Sequence, residues 1–238
     1  MRDTLLSIEN LKVCYGDFPA VASASLTIAP EGISALIGAN GAGKTTLLEA
    51  AAGLHKPREG RVYFRGEDIT GLPPEEIVRR GLCLVPQGGR CFLRMSVEDN
   101  LLMGSYSPRA RRSAKKSLDR VYALFPALKE KRKAPAGSLS GGQRQMTAIG
   151  RAFMAAPQCI LFDEISLGLA PVVIHDLYDR IRQVNLEEKT AILLVEQDTD
   201  KALTMSDTCF VMLKGSVTLS GPSRELKPEA IRNAYFGI

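Results

Sequence analysis

The sequence predicts an α/β fold, a mostly parallel sheet covered by helices on both faces, with a helical subdomain inserted into it. Three observations lead there. Short apolar runs with the length of buried strands alternate with stretches of helical periodicity, which is the pattern of parallel strands joined through helices. One such run leads directly into a glycine-rich loop and then a helix, and the stretch 88–156 carries several helix patterns without a convincing strand. A chain of 238 residues suits one domain with a single insertion. The expected division is an α/β core of 1–87 and 157–238 around a helical subdomain of 88–156.

Taken in order, strands are expected at 5–13, 33–37, 82–85, 159–162, 191–195 and 209–213, from strand-like apolar runs. Helices are expected at 45–52, 113–124, 142–155, 172–184 and 200–205; in the third of these, Met146, Ile149, Ala152 and Phe153 recur at helical spacing. There is no internal repeat or low-complexity tract.

Composition excludes several classes. With 45% apolar and 24% charged residues the chain can bury a core, so it is neither disordered nor fibrous. No apolar run approaches the ~18 residues of a membrane span. In the N-terminal MRDTLLSIENLKV, Asp3 and Glu9 interrupt any apolar stretch, so a secretory signal is not expected and the protein is read as intracellular. Cys14, Cys83, Cys91, Cys159 and Cys209 lie far apart without a C-x-x-C spacing, which predicts reduced, buried thiols. His55 and His175 have no partners at metal-ligand spacing and are expected to be structural or solvated.

The net charge of +5 is unevenly distributed. From Gly88 to Arg151, fourteen Lys and Arg stand against four acids, a balance of +10 that leaves −5 for the remainder. Such a segment is either a solvated helical face or a surface turned toward something negative. Few aromatic residues accompany Arg109, Arg111, Arg112, Lys115 and Lys116, so a single-stranded nucleic-acid platform is disfavoured.

Chemistry concentrates in three motifs. Gly38-Ala39-Asn40-Gly41-Ala42-Gly43-Lys44-Thr45 fits G-x-x-x-x-G-K-[ST] between a strand and a helix. Its glycines let successive backbone N–H groups face phosphate oxygens, Lys44 can neutralise β- and γ-phosphates, and Thr45 can offer a hydroxyl to Mg²⁺. The run Cys159-Ile160-Leu161-Phe162 ends in Asp163-Glu164, placing adjacent carboxylates where α/β sheets bind ligands. Asp163 is suited to the metal and Glu164 to the attacking water. Leu139-Ser140-Gly141-Gly142-Gln143 is a second glycine-rich start of a helix. A plain cap accounts for Ser140 but not for two consecutive glycines, which disfavour helix. One phosphate loop and a second phosphate-ready turn in the same chain suggest that the second turn serves another chain's nucleotide.

Together GANGAGKTT, LSGGQ and ILFDE resemble the nucleotide-binding subunits of ATP-binding cassette (ABC) transporters, over nearly the whole chain. The resemblance implies a RecA-like P-loop core with an N-terminal antiparallel β region, ATP and Mg²⁺ as cofactors, and a head-to-tail dimer. In it Ser140, Gly141, Gly142 and Gln143 would grip the partner's ATP. It also implies that Tyr15 stacks on adenine, that Gly38, Asn40, Gly41, Ala42, Gly43, Lys44, Thr45 and Thr46 hold the phosphates, and that Gln87 touches metal and water while sensing the membrane partner. The metal set would be Thr45, Gln87 and Asp163, and the catalytic set Glu164, Gln87 and Gln197. The stretches RCFLRMSVEDNLLMG, LFPALKEKRKAPAGSLSGGQRQMTAIGRA, SLGLAP, VEQD and RNAYFGI are similar to the shorter ATPase of branched-chain amino acid importers and its relatives serving urea and amides. The partners implied are transmembrane permease subunits, a second ATPase subunit, either a copy of this chain or a paralogue, and indirectly an extracytoplasmic solute-binding protein. Nucleic acid is not among them. The location implied is peripheral, on the cytoplasmic face of the membrane.

The chain departs from the common pattern at Gln197, where most relatives carry His, at Ile165, where Pro is usual, and in Ser166-Leu167-Gly168-Leu169-Ala170, which lacks an Asp. These changes bear on turnover rather than nucleotide binding. A chromosome-structure ATPase of the same superfamily would need a long coiled coil between Lys44 and Ser140, where no sustained heptads occur.

Overall fold

The computed structural model describes residues 4–236. Asp3, used above for the N-terminal run, and the closing Gly237 and Ile238 of RNAYFGI lie outside the described residues.

The chain opens with a hairpin. β1 (Leu6–Tyr15) and β2 (Phe18–Ile28) are antiparallel, joined at Gly16-Asp17 with Tyr15 opposite Phe18. β3 (Ile33–Ile37) leads into the glycine-rich loop and α1 (Lys44–Ala51). β4 (Glu59–Phe64) pairs with β1, and the two-residue β5 (Glu67–Asp68) with β4. α2 (Pro74–Arg80) precedes β6 (Leu82–Val85). Helices α3 (Val97–Leu102), α4 (Pro108–Arg112), α5 (Ala114–Leu124), α6 (Pro126–Glu130) and α7 (Gly141–Met154) follow. The chain ends with β7 (Cys159–Asp163), α8 (Pro171–Glu188), β8 (Ala191–Glu196), α9 (Thr199–Met205), β9 (Thr208–Leu213), β10 (Ser216–Pro222) and α10 (Pro228–Phe236).

Among the described residues the ten strands form one sheet, in the order β5-β4-β1-β2-β10-β9-β3-β8-β7-β6. The five from β9 to β6 are parallel, and β10 turns back antiparallel on β9. The N-terminal antiparallel strands join this core through one β2–β10 pair, Ser23 opposite Ser216.

Alternation shows why the parallel strands read as unbroken apolar runs. Cys159 and Leu161 of β7, with Ala191, Leu193 and Val195 of β8, pack into the cluster built on β1, β2, β4 and α1. Their neighbours Ile160, Phe162, Ile192 and Leu194 face the opposite cluster, which contains Ile149 and Phe153 of α7 and Leu177 and Ile181 of α8. A strand buried on both faces needs no polar side.

The stretch between β6 and β7 is helical, and side-chain hydrogen bonds tie its first loop. Asn100 is fully buried; its side chain accepts from Phe92 N and donates to the carbonyls of Phe92 and Ser96. Ser96 caps α3 by accepting from Asp99 N.

Four strands were not expected from the sequence, namely β2, β4, β5 and β10. In β2 the register shifts between Val21 and Ala24, so buried Ala24, Leu26 and Ile28 alternate while Val21 is out of phase. β4 and β10 are half-exposed and carry no continuous apolar run of the kind that marks the parallel strands. The thiols divide as well: Cys83, Cys159 and Cys209 are buried, whereas Cys14 and Cys91 are only half-buried, so burial holds for three of the five. All five are free, and burial pushes the Cys83 and Cys209 thiols up to about 12, far from a reactive thiolate.

Candidate functional site

The site lies at the carboxyl ends of β3, β7 and β8, the crevice where parallel sheets bind ligands. The backbone turns into α1 through Gly43, at φ 99°; a Cβ there would lie 2.4 Å from the Ala20 carbonyl oxygen, so the residue must be glycine on two counts. Lys44 follows, only 4% exposed. Its ammonium donates to the carbonyls of Gly38 at 2.8 Å and Ala39 at 3.1 Å and lies 3.4 Å from Glu164 Oε1. The lysine is thus curled over its own loop.

Thr45 Oγ1 donates to Asp163 Oδ1 at 3.1 Å, joining the first turn of α1 to the end of β7. Glu164 holds a left-handed backbone at φ 45°, with its N–H donating to Val195 O at 3.0 Å. That turn aims its carboxylate at two amides: Oε2 accepts from Gln197 Nε2 at 2.7 Å and Gln87 Nε2 at 3.2 Å. Behind them Glu196, 3% exposed, accepts from the hydroxyls of Tyr178 and Ser166. Burial pushes the Glu196 carboxyl up, and the two hydroxyl donors oppose that shift.

Most of the expected residues meet in one cleft of about 560 Å³. It is lined by Tyr15, by Asn40, Gly41, Gly43, Lys44, Thr45 and Thr46 of the loop and α1, and by Gln87, Glu164 and Gln197. Gly38 and Ala42 do not line it. Gly38 instead supplies a carbonyl to Lys44, while Ala42 is buried, with its carbonyl accepting from Gly215 N. Asp163 is reached through Thr45. Phe18, Ala20 and Leu167 also line the cleft and were not anticipated. The Gly16-Asp17 pair is a two-residue hairpin signal that would have returned the chain antiparallel to β1 through Phe18 and Ala20, though not placed them at the cleft.

Ser140, Gly141, Gly142 and Gln143 are not part of this cleft. They form a capping box on α7: Ser140 Oγ accepts from Gln143 N at 3.3 Å, and Gln143 Oε1 accepts from Ser140 N at 3.2 Å. The two glycines differ. A Cβ on Gly142 would sit 3.1 Å from Val173 Cγ1, which is a packing reason for glycine, whereas one on Gly141 would meet nothing within 4 Å. Packing within the chain therefore does not require glycine at 141, where a Cβ would enter open space.

Burial pushes the Asp163 carboxyl up; the Thr45 hydrogen bond opposes this, the Glu164 and Glu49 charges add to it, and Lys44 opposes it. A carboxyl raised in the folded state binds its proton more tightly there than in the unfolded chain. Stability therefore falls as pH rises from the ordinary carboxylate value to the folded one, and the full cost persists above it. Asp163→Asn, whose amide oxygen can still accept from Thr45, is expected to raise the melting midpoint near pH 7, with the gain vanishing at about pH 4 and below. A lower midpoint for the variant at neutral pH would contradict this account of Asp163.

A phosphate loop between β3 and α1, with carboxylates at the end of a parallel strand nearby, defines a P-loop nucleotide-binding ATPase. The chain belongs to the ABC transporter family, whose model matches residues 21–166. It is 39% identical over 235 residues to the high-affinity branched-chain amino acid transport ATP-binding protein BraG of Pseudomonas aeruginosa, covering 98% of this chain and 100% of that one. It is 33% identical to the probable branched-chain amino acid transport ATP-binding protein LivF of Archaeoglobus fulgidus, over 98% of this chain and 99% of that one. Among solved structures, a nucleotide-free ATP-binding cassette from an ABC transporter superposes with a TM-score of 0.80 at 30% identity, covering 97% of this chain and 94% of that one. The ADP conformation of an ATP-binding cassette gives the same values.

Proposed function

We propose that the chain is the ATP-hydrolysing subunit of a membrane importer for branched-chain amino acids. The observation that carries this reading is the similarity to BraG, spread over the full length of that protein. Permease subunits would receive its motion, a second ATPase subunit would complete its sites, and a solute-binding protein would act at a distance. It would sit on the cytoplasmic face of the membrane; among the described residues no helix is long and apolar enough to cross it. Residues 88–156 would be a helical subdomain on the nucleotide-binding core of 1–87 and 157–238, with Gln87 at the junction.

In the cleft, Tyr15 would carry the adenine ring. The backbone N–H groups of Asn40 to Thr46 would hold the phosphates, with Lys44 exchanging the Gly38 and Ala39 carbonyls for β- and γ-phosphate oxygens. Thr45, Asp163 and the Gln87 side-chain carbonyl would make an all-oxygen donor set, which suits a hard cation, and the 3.1 Å hydrogen bond between Thr45 and Asp163 supports this reading. When bound there, Mg²⁺ would neutralise charge between the β- and γ-phosphates. Glu164 would orient and deprotonate the attacking water, and Gln197, already on Glu164 at 2.7 Å, would hold that carboxylate and reach the γ-phosphate through its amide. Ser140, Gly141, Gly142 and Gln143 would close on the nucleotide of a second subunit.

Proteoliposomes holding the chain with its co-purified membrane subunits and solute-binding protein test the assignment. ATP-driven uptake of leucine is expected, and uptake of urea or an amide with none of leucine would refute the cargo. The assembly has its own test: Ser140→Arg is expected to leave ATP affinity of the single chain within about twofold, since substitutions outside a site change energies little, yet abolish ATP-dependent dimerisation and turnover. A variant that still dimerises with ATP would show that this turn does not act across an interface.

A further inference from the structure

Tyr15 is 49% exposed at the mouth of the cleft, so core packing alone does not fix its ring. Its hydroxyl oxygen lies 3.0 Å from His55 Nε2 and 3.5 Å from Thr46 Oγ1. The Tyr15 and His55 rings meet edge to face, with centroids 5.1 Å apart at 83°. The same Nε2 stands 3.0 Å from Glu49 Oε2.

These contacts determine who donates. An ionised carboxylate only accepts, so His55 Nε2 must carry a hydrogen. That N–H is shared between Glu49 Oε2 and the Tyr15 hydroxyl oxygen, which leaves the Tyr15 O–H to point toward Thr46 Oγ1. Glu49 and Thr46 belong to α1, and His55 lies in the turn just beyond it. The helix that presents Lys44 and Thr45, with the turn that follows it, therefore also braces the aromatic ring of β1, through Thr46 directly and through Glu49 by way of His55.

We propose that His55 and Glu49 are positioning residues for Tyr15, holding its ring in the stance that receives the purine base, so that base and phosphates are located by one rigid helix. This rests on Tyr15 being the base platform. His55 touches no part of the phosphate site and acts only through Tyr15.

Equilibrium binding of ATP, ADP and inorganic triphosphate to the purified full chain tests the proposal, with thermal melting as a check that each variant is folded. Tyr15→Ala is expected to weaken ATP by about tenfold or more through lost stacking. His55→Ala and Tyr15→Phe are each expected to weaken ATP and ADP about fivefold, the worth of one hydrogen bond, and to leave triphosphate unchanged. The Tyr15→Phe/His55→Ala double variant should be no weaker than either single one, because both remove the same contact. His55→Gln, which keeps an N–H donor, should recover most of the loss. Additive losses in the double variant, or a loss of triphosphate affinity in His55→Ala equal to its loss of ATP affinity, would overturn the positioning role while leaving Tyr15 as platform. Unchanged ATP affinity in Tyr15→Ala would instead remove the platform, and the bracing with it.

Discussion

Glu164→Gln is expected to slow ATP hydrolysis by about 10²- to 10⁴-fold, the usual worth of a general base, while ATP remains bound. The substitution keeps the shape of the side chain and the left-handed turn at φ 45° that aims it. What it changes is the oxygen that now accepts from Gln87 at 3.2 Å and Gln197 at 2.7 Å. An amide can present one oxygen to those donors but has no basic lone pair left for water. The ATP-bound dimer should therefore accumulate and be visible by size-exclusion chromatography. Phosphate release after one turnover, measured in the reconstituted complex, checks the rate, and turnover within threefold of the unaltered protein would end the assignment of Glu164 as base.

Lys44→Ala should act one step earlier, on binding. The Lys44 ammonium is nearly inaccessible and is the cation that curls over the loop, with the Gly38 and Ala39 carbonyls and Glu164 as its partners. Charge-assisted hydrogen bonds contribute about 1.5 to 3 kcal/mol each, so losing those to two phosphate groups predicts a fall in ATP affinity of at least about 10²-fold. Calorimetric titration with Mg·ATP reads this directly. An affinity within a factor of three of the unaltered chain would remove the loop from the binding site.

How far the sequence carried depends on whether a feature is local. The loop, Asp163-Glu164 and the capping turn at Ser140 are contiguous runs whose chemistry follows from residue type and spacing, so their places could be read directly. The parallel strands were legible for a related reason: burial on both faces makes 33–37 and 191–195 continuous apolar runs. Of the antiparallel strands β1 was legible, at 5–13, whereas β2, β4, β5 and β10 were not. β2 slips register, so only pairing with β1 makes it a strand. For the same reason Phe18 and Ala20 escaped notice, since they reach the cleft by tertiary contact. The bond from Gln197 to Glu164, and the Glu196 contacts behind it, join residues more than thirty positions apart or on different elements, and no periodicity announces them. His55, read from its isolation as structural or solvated, turned out to touch Tyr15 because the turn after α1 folds back toward the tip of β1.

A sheet of ten strands still has two open flanks, where unpaired backbone groups could recruit a stray strand. On one flank the outermost strand is only Glu67–Asp68, and both residues are charged and exposed, Glu67 facing Arg80 at 3.4 Å and Asp68 facing Arg61 at 3.2 Å. An intruding chain would have to strip water from those ionic heads for two residues' worth of ladder. On the other flank β6 is four residues long and runs into Pro86, which offers no N–H to continue a ladder. Edge-to-edge polymerisation is thereby discouraged at both margins of the molecule.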